Sequence, residues 1–212
     1  GDSGSLTASF TGKYVVNPDY GTDGTLSGVV ENAHSVQRHN NGLGVCNVGS
    51  CETGEDPYHT VDGASAPDGR QITDFVEIAF FTGIDDPVDV TLTSLTFGWV
   101  GDIYDVYSGT NGMYEILVSE LSDALIGAGA SLVFEGTATA TPNIIGGLDV
   151  EVLPDLAAFT DNLFGIKAGI GGSWKLKSAT VEYSVPEIPL PAAGWLMIAG
   201  IGSIAALRRK KT

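Results

Sequence analysis

An uncharged apolar run close to the C-terminus constrains this chain more than any other feature. Residues 190–207 carry no charged side chain, and as a helix they reach roughly 27 Å, close to the about 30 Å core of a bilayer. A block of four basic residues follows at once: Arg208, Arg209, Lys210 and Lys211. Such a block stays on the cytoplasmic side of a membrane. The alternative, a buried core helix, is disfavoured because such a helix has a polar face, which this run lacks, and because the adjacent cations would be costly to bury. We therefore expect one C-terminal transmembrane helix over 190–207, a basic tail over 208–211, and an extracytoplasmic domain over 1–184.

The sequence of the domain favours β-structure. Glycine accounts for 29 of the 212 residues and hydrophobic residues for 43%, and apolar residues alternate over short segments between turn residues. Strands are predicted at residues 5–16, 25–36, 72–81, 88–100, 103–107, 114–118, 131–140, 144–153, 164–170 and 174–183. Because no βα alternation is visible, we expect an all-β fold: a single antiparallel β-sandwich or jelly-roll-like domain with one core.

Several local features of the domain are also predicted. Residues 38–71 are rich in turn residues and poor in apolar ones, which indicates an ordered surface loop. The alternation changes parity between Leu92 and Leu95, which indicates a bulge in that strand. Residues 121–128 have helical spacing, but a loop fits them nearly as well, and a helical turn is expected within 154–163.

The charge balance excludes one class of partner. The chain has 26 acidic and 10 basic residues, and because four of the basic residues lie in 208–211, only six belong to residues 1–207. A surface of this charge repels nucleic acid and anionic lipid headgroups. It suits divalent cations or simple colloidal solubility, and we expect no nucleic-acid partner.

Two features indicate an oxidising compartment. The first residues, Gly1 to Gly4, lack the basic and apolar regions of an export signal, so we expect residue 1 to be the mature N-terminus after a leader is removed. The two cysteines, Cys46 and Cys51, enclose four residues and are expected to form a disulfide that stabilises the fold by roughly 2 kcal/mol or less. The competing interpretation, half of a metal site, would need two further soft ligands.

Candidate ligand-binding residues lie in two segments. Asp56 and Asp62, close to His59, are candidate calcium ligands because Ca²⁺ prefers carboxylate and carbonyl oxygens on loops; local turn hydrogen bonding is the competing explanation. Tyr104 and Tyr107 are candidates for an exposed aromatic platform that stacks on sugar. Trp99 lies in an apolar alternation, which predicts a place in the core.

No catalytic motif is present. The chain has neither a G-x-S-x-G nucleophile elbow nor an H-E-x-x-H zinc motif, and the spacing of His34, His39 and His59 selects no serine–aspartate partner. We therefore expect no enzymatic activity, no catalytic residues and no cofactor other than calcium. A secreted hydrolase is the weakest of the hypotheses retained.

The C-terminal segment resembles a known sorting signal. Ile188, Pro189, Leu190, Pro191 and Ala192, followed by the apolar run and the basic tail, are similar to the VPLPA variant of the PEP-CTERM signal, with isoleucine in place of the usual valine. This resemblance implies an exosortase as partner, found in Gram-negative bacteria that make exopolysaccharide. It also implies a transient inner-membrane anchor over 185–212 that is cleaved near the prolines.

The domain resembles the exosortase-dependent surface proteins over about 60 residues. The matching segments are GLGVCN at 42–47, DPYHTVDG at 56–63, FVEIAF at 75–80 and LTFGWVGD at 95–102. The family is defined by its sorting, so no reaction is implied. We expect a cell-surface or extracellular-matrix protein with a structural or adhesive role associated with exopolysaccharide. The alternative is a carbohydrate- or calcium-binding module.

Overall fold

The structure, a computed structural model, describes residues 5–33, 35–39, 41–46, 60–65, 69–83, 86–100, 112–119, 130–138, 149–153, 156–169 and 171–184. These residues form fourteen strands and a short 3-10 helix at Leu156–Phe159. The strands are β1 Leu6–Tyr20, β2 Leu26–Asn32, β3 Ser35–His39, β4 Gly42–Cys46, β5 Val61–Ser65, β6 Gln71–Thr82, β7 Asp86–Pro87, β8 Val90–Val100, β9 Gly112–Ser119, β10 Ser131–Ala138, β11 Asp149–Val152, β12 Thr160–Asp161, β13 Leu163–Ala168 and β14 Ser173–Glu182.

All strands belong to one curled antiparallel sheet with two halves. In the first half the order is β2-β1-β6-β13-β9-β10, with the two-residue β7 also on β6. In the second half the order is β3-β4-β14-β8, and β11 and β12 both pair with the far side of β8. Strand β5 joins the halves, because Val61 and Asp62 pair with β14 whereas residues 63–65 pair with β6. The fold is therefore all-β and antiparallel, as predicted.

An inner core lies between the two halves. Alternate residues of β6, β9 and β13 meet alternate residues of β8 and β14 in one buried cluster, as the two-residue period of a strand requires. At its centre the ring of Phe97 lies 4.8 Å from that of Tyr114 in the opposite half and 5.2 Å from that of Trp174, measured between centroids. Both halves thus contribute large aromatic side chains to one apolar layer.

An outer core covers the opposite face of the first half. Leu26, Phe75, Leu117 and Leu163 are all buried there, and the last three occupy the positions of β6, β9 and β13 that point away from the inner core. The turn between β1 and β2 folds across this face, because the Leu26 amide donates to the Ala130 carbonyl (2.8 Å) and Thr25, just before β2, forms a bridge with Ser131 at the start of β10. The prediction of one core was therefore incomplete, since the first half buries both of its faces.

Three other predictions need correction. Residues 38–71 are not a loop throughout, because β4 and β5 lie in that segment. The first strand, predicted to end at residue 16, continues as β1 to Tyr20; within it Asn17 has a positive φ of 52° and the register to β2 shifts. Trp99 is only partly buried and lies outside the inner core, because the pairing of β8 with β14 skips Gly98 and so places Trp99 on the other face of the sheet from Phe97.

Other local predictions are confirmed. The register between β8 and β14 skips one β8 residue at Thr93, which is the bulge that the parity change between Leu92 and Leu95 indicates. The 3-10 helix lies within the predicted helical turn at 154–163. The predictions for 103–107 and 121–128 fall outside the described residues. In the part of the chain that the structure describes, no helix is long and apolar enough to cross a membrane, and residues 190–207 lie beyond that part.

Candidate functional site

A row of charged side chains crosses the outer face of the first half. In register, Lys13 of β1 lies opposite Phe75 of β6, Phe75 opposite Lys167 of β13, and Lys167 opposite Glu115 of β9. Glu135 of β10 lies opposite Glu115 and completes the row. Side chains at directly opposed positions share a face of the sheet, so the pairing brings together residues that are up to 154 positions apart.

Lys167 is the most deeply buried cation of this row. Its residue is 1% exposed, its Nζ lies 2.8 Å from the Glu115 carboxylate, and Nζ also donates to the Ala168 carbonyl at 3.0 Å. Burial lowers the pKa of Lys167 below its usual value, and the charge of Glu115 and its hydrogen bond oppose that shift. A buried charge is costly unless it is paired and hydrogen-bonded, and Lys167 is both.

Tyr20 contacts both members of the Lys167–Glu115 pair. Its hydroxyl donates a hydrogen bond to the same Glu115 oxygen that Lys167 contacts, and Lys167 Nζ lies 5.7 Å from the centroid of the Tyr20 ring. Burial, followed by the hydrogen bond to Glu115, raises the pKa of Tyr20 well above its usual value. The positive φ at Asn17 and the register shift that follows it redirect the end of β1. We call Tyr20, Glu115, Glu135 and Lys167 the outer-face cluster.

A second ion pair lies on the same face. Lys13 Nζ is 3.9 Å from the Glu77 carboxylate, and both side chains are almost fully buried. Burial lowers the pKa of Lys13, while the nearby Glu77 charge raises it. Because its separation is longer than that of a charge-assisted hydrogen bond, this pair holds its amine less closely than Glu115 holds Lys167.

The outer-face cluster brings together chemically complementary groups. An amine, a carboxylate and a phenol meet at Glu115, beside the leucines and the phenylalanine of the outer core. These groups can hold the β1–β2 turn on the sheet, and they can exchange protons with one another. The cluster was not predicted from the sequence. Its visible signal was one charged residue inside each of two apolar strands, MYEILV in β9 and LFGIKA in β13.

Asp62 lies where β5 passes from one half to the other. Its Oδ1 accepts hydrogen bonds from the hydroxyls of Ser173 (2.6 Å) and Thr60. This bonding fits the local hydrogen-bonding explanation for Asp62, which was the alternative to calcium. Among the described residues, no group of three or more His, Cys, Asp or Glu residues could hold a metal ion. Asp56 lies outside those residues, so the calcium site stays a prediction.

Trp99 has a different environment from the one predicted. Its ring centroid lies 5.9 Å from Nζ of Lys175, a neighbour that is 1% exposed, and such contacts are favourable when the cation is desolvated. Next to it, the carbonyl of Asn41 comes so close to Gly98 that a methyl group there would lie 1.9 Å from the oxygen. The turn between β3 and β4 is therefore packed directly on β8.

The remaining predicted residues can be placed only in part. Cys46 is buried at the end of β4, and Cys51 lies outside the described residues, so their disulfide stays a prediction. The candidate platform residues Tyr104 and Tyr107 also fall outside, as do the sorting motif (Ile188, Pro189, Leu190, Pro191 and Ala192) and the basic tail (Arg208, Arg209, Lys210 and Lys211).

The fold defines the class of protein: an all-β antiparallel protein with one curled sheet. Comparison of the chain with protein-family models, with curated proteins and with solved structures found no match.

Proposed function

We propose that this chain is an exported bacterial surface or extracellular-matrix protein, sorted by an exosortase through its C-terminal tail. Its role is structural or adhesive and is associated with exopolysaccharide. The observation that carries the proposal is the order of three segments in residues 185–212: a proline motif, an uncharged apolar run of membrane-spanning length, and four adjacent basic residues. In this proposal the tail holds the protein in the inner membrane until the exosortase cleaves near the prolines.

We also propose that the curled sheet is a β-sandwich of the jelly-roll kind. The support is the way its two halves face each other across the inner core, with Phe97 of one half against Tyr114 of the other. The passage of β5 from one half to the other supports it further, because a strand that changes sheets is a common corner in such folds.

The distribution of charge supports a surface or matrix location. Of the six basic residues in 1–207, Lys13, Lys167 and Lys175 are buried, which leaves Arg38, Arg70 and Lys177 as the exposed cations. Because Asp74, Glu77 and Glu115 are buried as well, the three buried lysines do not change the acidic excess that the composition gives. An acidic surface keeps a secreted protein soluble and attracts divalent cations, which can bridge it to anionic polysaccharide.

The sorting step can be tested with a matched pair of variants in a bacterium that encodes an exosortase. Replacing Pro189 and Pro191 by alanine alters the motif, whereas Pro186→Ala changes a proline of the same segment outside it. We expect the double variant to accumulate uncleaved in the membrane fraction and the control to be released like the wild type. Equal release of all three proteins would contradict the proposal.

The alternative function is a carbohydrate- or calcium-binding module, with Asp56 and Asp62 as the candidate calcium ligands and Tyr104 and Tyr107 as the candidate sugar platform. Calcium titration and a glycan array would distinguish it from the purely structural role. Saturable calcium binding that is lost in Asp62→Asn, or saturable sugar binding that is lost in Tyr104→Ala and Tyr107→Ala, would replace that role.

A secreted hydrolase is the weaker alternative. Turnover of an ester, peptide or glycoside that depends on His59 would establish it.

A further inference from the structure

Lys167 and Glu115 are placed as reactants for a condensation. They lie directly opposite each other on adjacent strands, so the sheet fixes their backbones relative to each other. Nζ is 2.8 Å from a carboxylate oxygen, the two side chains are 1% and 10% exposed, and the apolar outer core adjoins them. Fixed reactants of this kind behave as if present at about 10⁵ M or more, which favours bond formation over hydrolysis.

We propose that Lys167 and Glu115 become joined by an intramolecular amide bond between Nζ of the lysine and Cδ of the glutamate. The bond covalently links β13 to β9 within the first half of the sheet. It is a modification of the folded chain itself, and it goes beyond the proposed sorting function without depending on it.

The reaction is a dehydration whose atoms balance without any co-reactant. The ammonium first gives one proton to the carboxylate, which produces an amine and a carboxylic acid. Nζ then attacks Cδ, a C–N bond forms, and negative charge develops on Oε2. The carboxyl C–O bond to Oε1 breaks, a proton from the nitrogen moves to the leaving hydroxyl, and one water molecule departs. Nothing is oxidised or reduced.

The surrounding residues have defined roles in this step. The Tyr20 hydroxyl already donates to Oε2, so it stabilises the charge that develops there, as donors at an oxyanion do. The Ala168 carbonyl accepts a hydrogen bond from Nζ at 3.0 Å and orients it. Burial lowers the pKa of Lys167, which enlarges the nucleophilic neutral fraction. Glu135 is exposed and lies opposite Glu115, and it relays the proton that moves from Nζ to the leaving hydroxyl.

Intact-mass spectrometry of the full chain, reduced and fully denatured, tests the proposal. We expect the protein to be lighter than its sequence by the mass of one water molecule. After proteolysis, a fragment containing Glu115 should remain bonded to one containing Lys167. A full sequence mass for folded wild-type protein would overturn the proposal, because it leaves the two residues as an ordinary ion pair.

Variants separate this bond from other dehydrations. Lys167→Arg keeps the positive charge but removes the nucleophilic amine, and it should restore the full mass; Lys167→Met provides a second test if the arginine variant fails to fold. Lys13→Arg makes the same change in the neighbouring ion pair and should keep the mass deficit. A deficit that persists in both Lys167 variants would overturn the assignment. Glu135→Gln should lower the cross-linked fraction, and an unchanged fraction would overturn the relay role of Glu135.

Discussion

Shortening Leu26 tests whether the outer core is a second structural core. Leu26 is 1% exposed and packs among the residues that cover the outer face of the first half. Leu26→Ala removes three carbon atoms, which at about 0.8 kcal/mol per buried methylene gives roughly 2.4 kcal/mol before any cavity contribution. Because the β1–β2 turn can collapse partly onto the sheet, we expect a total loss in unfolding free energy of about 3 kcal/mol, within the usual range for such changes.

Val29 of the same strand provides the control. It is 60% exposed, and Val29→Ala should change the unfolding free energy by less than about 0.5 kcal/mol. Urea denaturation followed by tryptophan fluorescence gives both values, with the slope against urea checked for constancy. Equal effects of the two substitutions, or a loss below about 1 kcal/mol for Leu26→Ala, would refute the conclusion that the outer face is a core.

Three further predictions follow from the contacts. Gly98→Ala should lower the unfolding free energy by about 3 kcal/mol or more, because its methyl group would overlap the backbone of the β3–β4 turn. At Gly69 an added methyl group meets no atom, but the φ is +84°, so Gly69→Ala should cost only about 1–2 kcal/mol. The same urea assay compares the two losses. The stability that Tyr20 contributes through its raised pKa is present below about pH 10 and is lost as the pH rises through the folded-state pKa. The difference in unfolding free energy between wild type and Tyr20→Phe should therefore decrease between about pH 9 and pH 11. One proton allows a change of roughly 1.4 kcal/mol per pH unit, and solvent screening makes the observed change smaller. A difference that stays constant over this range would contradict the role of the Tyr20 hydroxyl. In the denatured chain, alkylation without reductant should leave Cys46, which is buried in the folded state, and Cys51 unmodified, and alkylation after reduction should modify both. Labelling of the denatured chain before reduction would refute the disulfide.

The sequence predicted the class of fold because strand periodicity is a local property. Ile78 and Phe80 alternate visibly, and the parity change near Leu92 gave the position of a bulge that the register confirms. Strand β5 was missed because VDGAS has little apolar content of its own; its conformation depends on partners in β6 and β14 that are distant in sequence. Trp99 was misplaced because a bulge changes which face a strand residue occupies.

The outer-face cluster could not have been predicted from local patterns. Lys167 and Glu115 are 52 positions apart, and only the pairing of β13 with β9 makes them neighbours. Tyr20 reaches them because the end of β1 is redirected at Asn17 and the β1–β2 turn folds over the sheet, where Thr25 pairs with the start of β10. A charged residue inside an apolar strand indicates a buried partner, but its identity is a property of the tertiary structure.

The mass of the protein recovered from cells that encode an exosortase tests the central proposal most directly. If the tail is a sorting signal, the mature chain isolated from the cell surface or matrix ends near the motif at residues 188–192 and lacks the apolar run and the four basic residues. A surface or matrix form that still ends at Thr212 would contradict the proposal that the tail is a cleaved sorting signal.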